Sequence, residues 1–160
     1  MKSPVTTLLV IAMAFVAGCA TPTPRTSPAA ASQRLAAPTG QDIASLFDRW
    51  NESLQTGDPW RVVARYAEPS ILLPTVSNRV RLTPEEKADY FAHFLENQPA
   101  GEITLRQIQV GTDLAVDTGL YTFRFAKTGE QIQARYSFTY RRFGTNWLIV
   151  SHHSSALPEK

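Results

Sequence analysis

The sequence predicts an α+β domain in which helices cover one face of a curved antiparallel sheet. Two observations carry that expectation. Between Asp42 and Asn97 the apolar residues recur mostly at helical spacing, whereas from Glu102 onward they alternate with polar ones. Turn-forming clusters then divide the second half into long segments joined by short connections, the pattern of a meander. Helical segments followed by a run of strands belong to the α+β class.

Each element has its own justification. Asp42 to Thr56 places Ile43, Leu46, Phe47, Trp50 and Leu54 on one stripe of an otherwise polar helix, and Gly57 ends it. Asp58-Pro59 opens a second, shorter helix running to about Tyr66, with an acceptor at the N-cap and proline at the first position. Ser70 to Thr75 reads as a short strand, and Pro74 confines it to a sheet edge. Thr83-Pro84-Glu85-Glu86 is a capping box that opens a third helix to about Asn97, with Ala88, Phe91, Phe94 and Leu95 facing inward.

Four strands follow. Glu102 to Val110 changes parity between Ile103/Leu105 and Ile108/Val110, the signature of a β-bulge. Leu114 to Phe125 and Gln131 to Phe143 flank a turn at Lys127-Thr128-Gly129-Glu130. Phe143-Gly144-Thr145-Asn146 turns the chain into a last strand, Trp147 to Ser154.

The N-terminus carries a different message. Met1-Lys2, an apolar run from Val5 to Val16, and Ala17-Gly18 before Cys19 form a secretory signal over residues 1–18. The run is shorter than the roughly 20 apolar residues of a transmembrane helix. Val16-Ala17-Gly18-Cys19 resembles the bacterial lipobox, which implies acylation of Cys19. Residues 19–40, rich in Ala, Pro, Thr and Ser, then read as a disordered tether, and the folded domain as residues 41–160. The expected location is the bacterial cell envelope, anchored through lipid, on the periplasmic face of the outer membrane if the cell has two membranes. Cys19 is the only cysteine, which excludes an intrachain disulfide or a cysteine-based zinc site. A formal net charge of +2, one unit of it from Lys2, gives no footprint for nucleic acid.

The order helix–helix–strand–helix–meander resembles the nuclear transport factor 2-like, or SnoaL-like, superfamily, which implies a cone-shaped cystatin-like sheet around a pocket. Phe47-Asp48-Arg49-Trp50-Asn51 through Thr56-Gly57-Asp58 resembles the first helix and turn of the calcium/calmodulin-dependent protein kinase II association domain and its bacterial relatives. Tyr140-Arg141-Arg142 and Trp147-Leu148-Ile149-Val150-Ser151-His152-His153-Ser154-Ser155 extend that resemblance to the end of the chain. Dehydratases, isomerases and pure assembly modules share this scaffold, so the resemblance implies a pocket and oligomerisation without choosing a reaction. No kinase role follows from it.

Strand alternation sorts the candidate site residues. Leu120, Thr122 and Arg124 share one face of their strand, and Gln133, Arg135, Ser137 and Thr139 share one face of the next. Mid-strand Arg135 and Arg124, converging in a pocket with Ser137 and His153, would clamp a small anion. Trp50 and Tyr66 are core aromatics first and pocket wall second. His152 and His153 point to opposite faces and therefore do not chelate one metal ion. Nothing calls for a cofactor. Asp48, Glu68, Asp113 and Asp117 lack a spacing that marks a general acid or base, and Ser154-Ser155 lacks a nucleophile elbow. The expectation is an envelope-anchored small-ligand-binding or oligomerisation module, most simply a dimer through an outer sheet face on which Tyr136 and Phe138 need cover. The alternative is a cofactor-independent dehydratase or isomerase working in the same cavity.

Overall fold

A computed structural model describes residues 37–158. The expected signal, Cys19 and most of the expected tether lie outside the described residues. Helix α1 (Gly40–Leu54) starts two residues earlier than its apolar stripe announced, because the Thr39 hydroxyl accepts from the Asp42 N–H and the Asp42 carboxylate accepts from the Thr39 N–H. Its stripe is buried as expected: Ile43, Phe47, Trp50 and Leu54 are each at most 2% exposed. Gly57, at φ +69°, allows the chain to reverse. Helix α2 (Pro59–Val63) is then capped by Asp58, whose carboxylate accepts from the Trp60 N–H.

Strand β1 (Tyr66–Leu73) begins where the second helix was expected to be ending, and Pro74 terminates it. Helix α3 (Pro84–Leu95) carries the capping box between Thr83 and Glu86. Strands β2 (Pro99–Val110), β3 (Leu114–Phe125), β4 (Gln131–Phe143) and β5 (Asn146–Ala156) complete a curved, unclosed sheet of order β1-β5-β4-β3-β2. β2 through β5 pair antiparallel, while β1 joins β5 in parallel. That last pairing is a departure from the antiparallel sheet expected. It follows from the connection, since the whole of α3 and three strands separate β1 from its partner.

The bulge in β2 is present between Ile103 and Leu105, and it turns Arg106 onto the concave face opposite Gly119. A Cβ on Gly119 would lie 1.9 Å from the Leu105 carbonyl oxygen, so only glycine fits there. β2 is an edge strand, and α1 partly covers it. Asn51 donates to the Gly101 carbonyl (2.9 Å) and accepts from the Gly101 N–H (2.8 Å), while Gln55 donates to the Pro99 carbonyl (2.7 Å). Side-chain amides thus take up edge groups that would otherwise template another strand.

Alternation on β3 and β4 separates the faces cleanly. Tyr121, Phe123, Phe125, Ala134, Tyr136, Phe138 and Tyr140 all turn toward the helices and are buried. The expectation that Tyr136 and Phe138 lie on an exposed outer face is therefore corrected: they are 2% and 0% exposed. Each such aromatic side chain contributes on the order of 1.5–3 kcal/mol by burial, which is why the face richer in aromatics becomes the inside.

Candidate functional site

The concave face closes around a small interior cavity of about 30 Å³. α1 supplies Trp50, α3 supplies Phe91 and Phe94, β3 supplies Tyr121 and Phe123, and β5 supplies His152 and Ser154. Most of the wall is aromatic, so the few polar atoms decide its chemistry. The Trp50 indole N–H donates to the Tyr66 hydroxyl at 3.2 Å, and that hydroxyl lies 2.8 Å from His152 Nδ1. An indole nitrogen only donates. The Tyr66 hydroxyl hydrogen has no other acceptor among the described residues, so it is assigned to Nδ1 and the proton of the neutral imidazole to Nε2. The tautomer is assigned from this network.

His152 stays neutral far into the acid range. Burial pushes it down to about 3, and the neighbouring His153 pushes the same way. Its ring stacks on Phe138 at 4.0 Å between centroids and meets Trp50 edge-on at 5.3 Å. Nε2 is buried and has no hydrogen-bond partner among the described residues. Such an orphan donor on a cavity wall marks a place for an acceptor, since leaving it unpaired costs roughly 1–3 kcal/mol. Beside it, the Tyr121 hydroxyl donates to Ser154 Oγ, which also bonds to Thr75 Oγ1. Burial lifts the Tyr121 phenol to about 12, so this end of the cavity is polar but uncharged.

A cleft of about 480 Å³ adjoins the cavity. Val76, Tyr90, Phe94, Phe125 and Ile132 line both, so these apolar side chains form the partition between them. The inner volume takes about one water, whereas the cleft falls in the range of small-molecule sites at roughly 300–1,000 Å³.

A separate polar cluster lies nearer the β2 bulge. Asp117 is fully buried, accepts from the Tyr136 hydroxyl at 2.8 Å, and pairs with Arg106 Nε at 3.2 Å. The Arg106 guanidinium sits 5.6 Å from the Phe47 ring centroid. Burial raises the Asp117 carboxyl above its ordinary range, against the opposing pull of Tyr136 and Arg106. Lys87 is also buried, and its ammonium clasps the carbonyls of Ser70 (3.0 Å) and Leu82 (2.6 Å), tying α3 to β1 and the intervening loop.

The residues singled out in the sequence fall into two groups. Trp50 and Tyr66 meet inside, as members of the hydrogen-bond chain that ends on His152. Arg135, Ser137 and His153 stand on the outer face, where Ser137 pairs in register with His153. Arg124 is exposed on that same face and pairs with Glu102 at 3.2 Å. Neither arginine contributes to the cavity, and the inward histidine is His152 rather than His153. The correction has one cause: alternation groups Arg124, Arg135, Ser137 and His153 together, and burial of the aromatics sends that group outward. The tyrosines of β3 and β4, sharing a parity with the phenylalanines, were the signal for the interior. Arg106 was recoverable from the bulge that reorients it.

The match to known proteins agrees with this architecture. The model of the calcium/calmodulin dependent protein kinase II association domain matches residues 39–158. The chain belongs to that family. A crystal structure from Xanthomonas campestris, assigned to the same association domain, is 45% identical, with a TM-score of 0.74 over 77% of this chain and 91% of that one. An NTF2-like protein of unknown function from Pseudomonas putida shares the fold at 18% identity and TM-score 0.65, covering 74% of this chain and 87% of that one. A candidate dehydratase of the NTF2-like family from Streptomyces avermitilis does so at 15% identity and TM-score 0.67, covering 74% and 96%. No curated protein matches the chain. The association-domain family thus accounts for the fold, and the cavity's own groups are left to indicate its chemistry.

Proposed function

We propose that this association-domain protein is a ligand-binding module whose interior cavity and adjoining cleft receive a small apolar molecule through a hydrogen-bond acceptor. The observation that carries the reading is the buried, unpartnered Nε2 of His152, a residue on the wall of an aromatic cavity, which the assigned tautomer makes a donor. Binding is favoured over general acid–base catalysis for a chemical reason. His152 Nδ1 is already engaged by Tyr66, its Nε2 carries a proton, and neither Asp nor Glu is among the residues lining the inner cavity. A dehydratase or isomerase needs a base at the reacting carbon. The test is ligand-observed NMR with small aryl ketones and amides. Saturable binding that Ile132→Trp abolishes by filling the partition supports the reading, and binding unchanged in that variant refutes it.

Self-association is the second reading, supported by the outer sheet face. Leu105 and Leu114 are 55% and 48% exposed there, around Arg135, Ser137 and His153. A homodimer through this face would cover them. Sedimentation of wild type and Leu105→Asp decides it: a dimer that the charge splits is expected, and a wild-type monomer at micromolar concentration excludes the reading. We also propose that Cys19 is lipidated and holds the domain at the envelope. Incorporation of labelled palmitate that Cys19→Ser removes is the expected result, and unlabelled wild-type protein refutes it.

A further inference from the structure

We infer that the ligand is an uncharged carbonyl compound whose oxygen is shared by His152 and the Ser154–Thr75 hydroxyl pair, and that the matching carboxylic acid is rejected. This inference rests on the ligand-site reading above and names the class of molecule that the site takes.

His152 and Ser154 are two residues apart on β5, so alternation turns both side chains to the same face, and both are buried on the wall of the inner cavity. Thr75, just beyond the end of β1, lines the same wall. Its hydroxyl is bonded to Ser154 Oγ, which also accepts from the Tyr121 hydroxyl. Three hydroxyl hydrogens thus serve two bonds, and the third, on Ser154 or Thr75, is free to turn. Thr75 also lies within reach of Tyr121, and a hydrogen turned back that way is released to a ligand oxygen with no net loss of bonds. Together with His152 Nε2, this gives two donors bordering one small volume. A carbonyl oxygen has two lone pairs and brings no hydrogen of its own, so it satisfies both.

Charge separates that oxygen from a carboxylate. Among the described residues, those lining the inner cavity include no Lys, Arg, Asp or Glu, and burial keeps His152 neutral. A carboxylate brought here would give up its hydration for neutral donors and no cation, which costs more than it returns. Arg81 lines the outer cleft instead, where Asp89 holds its guanidinium at 2.8 Å. Size sets the rest. A volume of about 30 Å³ admits an oxygen and little more, so the apolar body lies across the partition toward the cleft.

Calorimetric titration of the full chain with benzylacetone, 3-phenylpropionamide, 3-phenylpropionate and propylbenzene tests this. At least one of the two carbonyl compounds is expected to bind roughly tenfold or more tighter than both the acid and the hydrocarbon. The double change Ser154→Ala with Thr75→Val should cut that compound's affinity about fivefold and leave propylbenzene unchanged. Isotope-edited infrared spectra of the carbonyl compound bound to the wild type keep the test decisive if the double variant does not fold. Two donors should draw its carbonyl stretch to its position in water or below. An acid that binds as tightly as its amide would overturn the carbonyl inference and leave the ligand site standing. A stretch midway between its positions in hexane and in water, the mark of a single donor, would do the same, as would carbonyl affinity unchanged in the double variant. Propylbenzene binding as tightly as the carbonyl compounds, or no binding by any of the four, would overturn both.

Discussion

Acidifying the protein from pH 7 to pH 5 protonates His152 in the unfolded chain but not in the folded one. The unfolded imidazole titrates near 6.5, and burial holds the folded one down to about 3. Between those values the unfolded state binds a proton that the native state refuses, so stability falls as pH falls. The contribution is intact above pH 6.5, is lost progressively below it, and stops changing near pH 3. At pH 5, about 1.5 pH units into the window, the loss is roughly 2 kcal/mol at ~1.4 kcal/mol per unit. Urea unfolding at pH 7, 6 and 5 measures it. His152→Asn keeps an acceptor for Tyr66 and removes the titration, so its stability should lose about 2 kcal/mol less over that interval. His93 and His153 are present in both proteins and cancel in the comparison. Equal acid slopes for wild type and His152→Asn would refute the reasoning.

Three further outcomes follow from the packing. Gly119→Ala forces a methyl against the Leu105 carbonyl at the bulge; a loss of more than ~3 kcal/mol in thermal or chemical unfolding is expected. Asp117→Asn leaves Arg106 with a neutral partner in a largely buried place and should cost ~3–5 kcal/mol, whereas the double change Asp117→Leu with Arg106→Met recovers much of that loss. Arg124→Ala and Arg135→Ala, both on the outer face, should each shift stability by less than ~0.5 kcal/mol and leave small-ligand affinity unchanged in titration.

Much of the fold was legible because local chemistry and tertiary structure agree. Thr83-Pro84-Glu85-Glu86 can cap a helix and little else, and it opens α3 at Pro84. The parity shift expected after Leu105 is matched by a bulge slightly earlier, between Ile103 and Leu105, and the bounds of β3 and β4 fall where alternation begins and ends. The site was less legible, for a definite reason. Alternation divides a strand into two faces without saying which one is inside. Two mid-strand arginines drew attention to the wrong face, although Tyr121, Phe123, Phe125, Tyr136, Phe138 and Tyr140 together outweigh any polar group as a reason for burial. The choice between His152 and His153 reversed with it. Lys87 and Arg81 were hidden differently. Each is buried through contacts with segments distant in the chain, or with backbone carbonyls that carry no side-chain signature. The parallel pairing of β1 with β5 is equally non-local, since no residue of β1 encodes the direction of its partner.

The neutral, Nε2-protonated His152 facing an apolar ligand is most directly tested by long-range proton–nitrogen NMR of the histidine side chains. The expected spectrum shows one ring that stays neutral and Nε2-protonated at pH 5, while 3-phenylpropionamide at saturation shifts its Nε2 resonance. A His152 ring that is charged at pH 5, carries its proton on Nδ1, or leaves Nε2 unmoved at saturation would contradict the proposed ligand site.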